Sequence, residues 1–310
     1  MIDLSEIVCY FESIANQITP TPTLTIRYHE PHFKSLSLQS STDTDTTMSI
    51  LTANPASLHA LLLLSDSALP LGSFAFSSGL ESFLGHRKQP TTQQRTKAFS
   101  LFLDQSLANL ASTALPYVLS AYHDPTYDSL EELDNDIDAS TPCTVARRAS
   151  ITQGKALLTI WERALSGAVQ PQPQSEAAGN AISAFAKAAK TSKPDASSSA
   201  FAPLGLQDIN GHFPPLFGAV AFALGLSERE TCYLFLLNHA KAVLSAAVRA
   251  SVMGPYQSQA TLASGDLQRH VNELITKSRH LRAADAAVCV PAMDLWMGRH
   301  ELLYSRIFNS

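Results

Sequence analysis

The 310-residue sequence is short of charge, and of positive charge in particular. Charged residues make up 16% of the chain, and 22 Lys and Arg against 27 Asp and Glu give a net charge of -5. A chain without a basic excess has no overall electrostatic attraction for nucleic acid or for an anionic membrane surface. We therefore expect no nucleic acid and no membrane among the partners, and favour other proteins.

Cysteine is also scarce, and its spacing excludes the usual cysteine-based sites. The four cysteines form no C-x-x-C pair and have no histidine at metal-ligand spacing. They are Cys9, Cys143, Cys232 and Cys289. This pattern predicts no metal site and suits a reducing compartment, so we expect a cytoplasmic protein. The stretch 234–248 is apolar enough to be considered as a membrane span, but it contains Lys241 and its uninterrupted apolar part is too short.

Motifs of the common enzyme classes are absent as well. The chain has no G-x-x-x-x-G-K-[ST] phosphate loop, no G-x-S-x-G elbow and no G-x-G-x-x-G turn. His300 and Glu301 begin an H-E-x-x-H pattern, but Tyr304 stands where the second zinc ligand is needed. The run DNDID at 134–138 has Ala139 where a calcium loop needs glycine. We predict a binding protein without catalytic residues, metal ligands or a bound cofactor.

What the chain does contain is apolar sequence at helical spacing. Hydrophobic residues make up 45% of the chain, which is enough to bury a substantial core. Phe99, Phe102, Leu103 and Leu107 illustrate the pattern, because they repeat every three or four residues. We predict an all-α fold: a single helical-bundle-like domain of roughly ten or more helices with long surface insertions.

Three segments are predicted to lie outside the helical core. Residues 1–47 are rich in Pro, Ser and Thr and predict a poorly structured extension, with Met48 as a possible alternative start of a helical domain over 48–310. Residues 125–142 hold six carboxylates and predict a solvated acidic loop. Residues 166–205 are of low complexity and predict a mobile surface insertion around a marginal Ala-rich helix.

The most informative stretch is 61–84, LLLLSDSALPLGSFAFSSGLESFL. Residues 57–64 predict a helix that is apolar on nearly all sides and therefore buried. Pro70 and Gly72 then predict a tight connection, because proline fixes φ and glycine permits positive φ.

A second helix follows this connection, and its start is open. The helix begins near Ser73, or it begins later if Ser78 and Glu81 form a capping box with S-x-x-E spacing. We call residues 66–81 the opening motif.

A polar stripe runs along the apolar helix that is predicted to begin after Ser227, where Ser227 and Glu230 form another capping box. The stripe consists of Asn238, Lys241, Ser245 and Arg249, spaced at i, i+3, i+7 and i+11. Burying two cations without partners is costly. The stripe therefore pairs with carboxylates, opens onto a wet groove or a partner, or is an ordinary exposed edge with snorkelling side chains.

Several blocks resemble the UreF family of urease accessory proteins. The opening motif matches the pattern D-S-x-x-P-x-G-x-aromatic-x-x-S-x-G-L-E through Asp66, Ser67, Pro70, Gly72, Phe74, Ser77, Gly79, Leu80 and Glu81. A central H-x-P-x-x-F-G segment is matched by His212, Pro214, Phe217 and Gly218. An R-x-S-x-x-x-G-x-x-L-L helix is matched by Arg148, Ser150, Gly154, Leu157 and Leu158. The tail pattern R-H-E-x-L-x-S-R-x-F-x-S is matched by Arg299, His300, Glu301, Leu303, Ser305, Arg306, Phe308 and Ser310.

The resemblance implies a non-catalytic cytoplasmic adaptor. Such an adaptor forms a homodimer, binds the UreD/UreH protein, and recruits and regulates the UreG GTPase, so that nickel is inserted into the urease apoprotein. Nickel is then handled by the complex. In that family the tail and the aromatic after the first loop's glycine contribute to assembly. The candidate partner-binding residues are Asp66, Pro70, Gly72, Phe74, Ser78, Glu81, Lys241, Arg249, His300, Glu301, Ser305, Arg306 and Phe308.

The alternative is a helical small-molecule-binding protein or enzyme that grips an anionic ligand with the polar stripe. A large enclosed apolar pocket beside the stripe would favour this alternative. A flat, apolar, symmetric surface would favour the adaptor.

Overall fold

A computed structural model describes residues 55–86, 91–191 and 209–309, which all fall in one compact unit, Ile50–Ser310. These residues form α-helices with short 3-10 and π segments and, within the described ranges, no strand. The predicted all-α class is therefore confirmed. The predicted extension over 1–47 and the second half of the predicted insertion, 192–205, lie outside the described residues.

The helices are α1 (Pro55–Ser65), α2 (Leu80–His86), α3 (Thr92–Thr113), α4 (Leu115–His123), α5 (Tyr127–Ser140), α6 (Thr144–Ile160), α7 (Pro173–Thr191), α8 (Phe213–Ala223), α9 (Glu228–Arg249), α10 (Pro255–Leu262), α11 (Gly265–Ser278) and α12 (Pro291–Arg299). Helix α8 lies at the centre, because it packs against α4, α6 and α7 and buries nearly every residue. Its two prolines fall in the first turn, where a missing backbone N–H costs nothing.

Helix α9 is the second core helix and packs against α1, α3, α4 and α11. The predicted capping box at its start is present, since Ser227 Oγ accepts from the Glu230 backbone N–H and the Glu230 carboxylate accepts from the Ser227 N–H. By length and composition α9 alone among the described helices could cross a membrane. More than half of its apolar window is buried in the core, as expected for the core helix of a globular protein.

The acidic segment 125–142 is mostly a helix, α5, so the predicted loop is wrong. Its apolar residues, Leu130, Leu133 and Ile137, recur at i, i+3 and i+7 and are buried against the core. Even a narrow apolar stripe stabilises a helix when neighbouring helices bury it. The prediction of a loop rested on the number of carboxylates and overlooked this apolar stripe. One of those carboxylates, Asp134, is itself buried.

Asp134 explains why an acidic residue belongs in this core. Its carboxylate accepts hydrogen bonds from three consecutive backbone N–H groups, those of Asn210 (2.6 Å), Gly211 (3.1 Å) and His212 (2.6 Å). These residues lead into α8, and Gly211 takes a positive φ of 79° there. The carboxylate therefore fixes the entry of the chain into the central helix.

A second acidic residue of α5 completes this buried cluster. Asp138 accepts from Arg147 Nε (2.5 Å) and from Nε2 of the fully buried His212 (2.9 Å). Burial alone would raise the pKa of Asp138, but the hydrogen bonds and charges of Arg147 and His212 outweigh burial and hold the pKa below its usual value. The last turn of α5 is thereby clamped to the first turn of α6.

The Ala-rich helix predicted within the insertion 166–205 is present as α7, but it packs on the core and is not marginal. Helix α7 runs for 19 residues and buries Ala178, Ile182, Phe185 and Ala186 at i, i+4, i+7 and i+8. It packs against α5 and α8, and Trp161 Nε1 donates to its Ser183 Oγ (3.1 Å). Low complexity describes the composition of this segment, whereas the spacing of four apolar residues determines its packing.

Gly154 of α6 sits where the chain enters α8. A Cβ placed on it would lie 2.0 Å from the carbonyl oxygen of Gly211, whereas a Cβ on Gly167 would meet nothing within 4 Å. We expect Gly154→Ala to lower the free energy of unfolding by about 2–3 kcal/mol, because the backbone contact cannot relax. Chemical denaturation of Gly154→Ala beside Gly167→Ala tests this, and equal stability of the two variants would contradict it.

Candidate functional site

The opening motif connects α1 to α2 and follows the predicted connection. After α1, Asp66 Oδ1 accepts from the Ala68 backbone N–H (2.9 Å). Gly72 has a positive φ of 72°, as expected for a glycine in this turn, and a single 3-10 turn, Ser73–Ala75, follows it. Ser73 Oγ donates to Gln153 Oε1 (2.9 Å), so the turn is attached to α6.

Helix α2 begins at Leu80, which decides between the two starts left open by the sequence. Ser77 and not Ser78 supplies the side-chain contact, because Ser77 Oγ accepts from the Glu81 backbone N–H (3.3 Å). Ser78 has a positive φ of 51°. A Cβ on Gly79 would lie 3.1 Å from the Met297 backbone nitrogen, so this glycine allows α12 to approach α2 closely.

Glu81 joins the opening motif to the C-terminal tail, which we define as residues 300–309. Its Oε1 accepts from the Ile307 backbone N–H (2.6 Å), and its Oε2 accepts from the Phe308 N–H (3.2 Å) and from Nε2 of the fully buried His300 (3.0 Å). The Asn309 N–H adds a bond to the Ala75 carbonyl (2.8 Å). Two motifs separated by more than 200 residues therefore form one surface.

An ion pair on the outside of this surface shapes the tail. The Glu301 carboxylate accepts from Arg148 (2.7 Å) and from Arg306 (2.7 Å), and Arg148 also donates to the Asn309 carbonyl (3.0 Å). The hydrogen bond from Arg148 is the main cause that lowers the pKa of Glu301, with Arg306 adding to it. Arg306 therefore orders the tail internally.

Phe308 anchors the tail to α9. Its side chain is only 4% exposed, and the Arg249 guanidinium lies 4.3 Å from the centroid of its ring. This is cation–π geometry, and it gives the last member of the polar stripe an internal partner.

The other stripe residues also have structural roles. Asn238 Nδ2 donates to the Leu64 carbonyl (3.0 Å) and Lys241 Nζ donates to the Ser65 carbonyl (2.7 Å). The last carbonyl groups of a helix have no hydrogen-bond partner within that helix. The side chains of Asn238 and Lys241 supply donors for two of them and so cap α1. Burial lowers the pKa of Lys241, and the charge of Asp66 offsets part of the effect. Asn238, Lys241 and Arg249 thus each have a partner within the protein, whereas Ser245 is exposed.

Large apolar side chains are exposed on this same surface. Phe74 is 65% exposed, and Leu302, Tyr304 and Ile307 of the tail are 73%, 107% and 64% exposed. The three tail residues were not predicted as site residues, since exposure cannot be read from sequence. Arg148 was matched only as part of a helix motif. Such a cluster beside an ordered ion pair has the composition of a protein-binding surface.

The candidate residues therefore divide by position. Glu81, Arg249, His300, Glu301, Arg306 and Phe308 meet at the junction of tail and opening motif. Pro70, Phe74 and Ser305 are exposed, and Gly72 and Ser78 shape the loop. Asp66 and Lys241 lie beside a cavity at the end of α1.

The predicted burial of α1 is only partial, because Leu58, Leu62 and Leu63 are 48%, 59% and 40% exposed.

The cavity has a volume of about 360 Å³ and lies between the opening motif, α3, α6, α9 and α12. Most of its wall is apolar, and the ionisable side chains that line it are Asp66, His239, Lys241 and Asp294. Burial lowers the pKa of His239 to about 4, so its imidazole is neutral at pH 7 and shares a hydrogen bond with Ser106 Oγ (2.7 Å). Within the described ranges, no group of three or more His, Cys, Asp and Glu side chains could hold a metal ion.

Comparison with known proteins gives a consistent result. The family model UreF matches residues 94–265. A UreF-like urease accessory protein of Schizosaccharomyces pombe is 37% identical over 260 residues, covering 84% of this chain and 100% of the relative. Urease accessory protein F of Arabidopsis thaliana is 29% identical, with 79% and 89% covered. Urease accessory protein UreF of Haemophilus influenzae is 26% identical, with 82% and 95% covered. Because the family model covers more than half of the chain and a close relative aligns over its full length, the chain belongs to the UreF family of urease accessory proteins.

Proposed function

We propose that this accessory protein acts in urease maturation as a non-catalytic cytoplasmic adaptor. It binds a UreD/UreH-type protein, recruits and regulates a UreG-type GTPase, and so supports nickel insertion into the urease apoprotein, with a homodimer as its working form. Membership of the UreF family supports the general role in maturation. The named partners follow from the family resemblance of the opening motif and the tail.

One observation carries the proposal. The two motifs that resemble the family most closely are bonded to each other through Glu81, and together they expose an apolar cluster of Phe74, Leu302, Tyr304 and Ile307. A tail that served only the core would place such side chains inward, as it does with Phe308. The exposed cluster is therefore assigned to a UreD/UreH-type partner.

An adaptor of this kind works by positioning. It changes the output of a GTPase only if it binds the nucleotide states of that GTPase with different affinities. A rigid surface suits this role, because little conformational entropy is lost when the partner binds. The bonds that Glu81 and Arg148 make to the tail supply that rigidity.

Tyr304 tests the proposal because the chain offers a matched control. We expect Tyr304→Ala to weaken binding to the UreD/UreH-type protein about tenfold or more, as for an aromatic residue at the centre of an interface. Tyr256 of α10 is 91% exposed on another element, and Tyr256→Ala should leave binding unchanged. Titration calorimetry with the purified UreD/UreH-type protein measures both variants, and an equal effect of the two changes would contradict the proposed surface.

Truncation after Arg299 removes the whole tail and is therefore a larger change to this surface than Tyr304→Ala. Without the tail, co-purification with the UreD/UreH-type and UreG-type proteins should be lost, and so should urease activation in cells. Arg306→Ala should give a partial loss, because it removes one of the two guanidinium partners of Glu301. Unchanged complex formation by both variants would exclude the tail from the interface.

A further inference from the structure

The cavity beside α9 shares Phe74 with the proposed partner surface, but none of the tail residues Leu302, Tyr304 and Ile307 lines it. Phe74 lines it and is also 65% exposed, which places the mouth of the cavity at the opening motif. Its inner wall is formed by small and apolar side chains, among them Ala149, Ala242 and Met293. A volume of about 360 Å³ is in the range of pockets that hold small organic ligands.

The charges in the wall decide which class of ligand fits. Lys241 is the cation among the described lining residues, and its ammonium group already donates to the Ser65 carbonyl. His239 is neutral. Asp66 and Asp294 are carboxylates. Two negative charges against the one positive charge of Lys241 leave the wall with an excess of one negative charge.

Asp294 is a carboxylate of this wall without a partner among the described residues, and it lies in the first turn of α12, where the helix dipole favours a negative charge. It is half-buried on α12, and no described residue donates a hydrogen bond to its carboxylate or pairs with it. Desolvation by burial raises its pKa, as expected for a carboxylate without a counter-charge. A cation placed beside it would supply the missing partner.

We propose that this cavity is a binding site for a small organic cation with an apolar body, whose ammonium group pairs with Asp294 while the body lies against Ala149, Ala242 and Met293. No described residue of the C-terminal tail lines this site, and ligand binding there does not depend on the adaptor function. An anionic ligand is disfavoured, because the two carboxylates of the wall outnumber its one ammonium group.

Three probes with the same phenylethyl body and different charge test the proposal on the full chain. We expect 2-phenylethylammonium to bind about tenfold tighter than neutral 2-phenylethanol, and 3-phenylpropanoate to bind least, because a partly buried carboxylate discriminates by charge. Asp294→Asn should abolish the preference for the cation, whereas Asp124→Asn, which removes an exposed carboxylate outside the cavity, should keep it. Titration calorimetry measures all three probes.

Ala242→Leu separates loss of the site from loss of the fold. The added side chain occupies cavity volume, so binding of the ammonium and the alcohol probes should be lost while the thermal midpoint is unchanged or raised. The proposal is overturned if no probe binds the wild-type protein, if 3-phenylpropanoate binds as well as the ammonium, or if Asp294→Asn keeps the preference.

Discussion

Glu81→Gln is expected to release the C-terminal tail. The carboxylate accepts three hydrogen bonds from the tail, and an amide offers one acceptor oxygen while directing its NH₂ group at backbone donors. A hydrogen bond to a charged group contributes about 1.5–3 kcal/mol, so amide protection at Ile307 and Phe308 should fall roughly ten- to hundredfold. Hydrogen exchange measures this directly, and binding of the UreD/UreH-type protein should fall with it.

Glu132→Gln is the matched control. Glu132 is an exposed residue of α5, so the same chemical change should leave exchange in the tail and partner binding unaltered. The pairing of Glu81 with the tail would be refuted if both variants kept the protection of Ile307 and Phe308. Loss of protection with unchanged partner binding would instead show that the tail is ordered by Glu81 but is not part of the interface.

Asp134→Ala should be among the most destabilising single substitutions in the described chain. It leaves three buried backbone N–H groups without an acceptor, and each such group costs about 1–3 kcal/mol. The total, on the order of 3–9 kcal/mol, is comparable to the stability of a typical domain. We expect the variant to be largely unfolded or aggregated at 37 °C.

Asp128→Asn provides the comparison for Asp134. Asp128 is exposed in the first turn of the same helix, where its charge interacts favourably with the helix dipole, so we expect a loss below about 1 kcal/mol. Chemical denaturation of the two variants measures the difference. An Asp134→Ala protein as stable as the Asp128→Asn protein would show that the entry into α8 is held by other contacts.

The sequence was sufficient where the required information is local. The periodicity of apolar residues predicted the all-α class, and the Ser227 and Glu230 pair predicted the start of α9, because both depend on residues a few positions apart. Pro70 and Gly72 predicted the connection before α2 for the same reason. The resemblance of the motifs to the UreF family agrees with the relatives found by comparison.

The sequence failed where a residue's role depends on a distant partner. The carboxylates of α5 suggested solvent, but Asp134 binds backbone groups that follow it by more than 70 residues. The polar stripe left carboxylate pairs, a wet groove or partner, and an exposed edge as alternatives, whereas Lys241 in fact caps a helix that precedes it by 176 residues. Such hydrogen-bond pairs form when distant segments pack together, so they cannot be predicted from the spacing of residues along the chain.

By itself the sequence determined that the chain is helical, where its opening turn lies, and which family it resembles, since propensity, capping and motif are properties of short segments. Only the tertiary structure decided that Glu81 holds the tail, that the polar stripe is used inside the protein, and that Tyr304 faces solvent while Phe308 does not. The physical reason is that burial and hydrogen-bond partnership arise when distant segments meet.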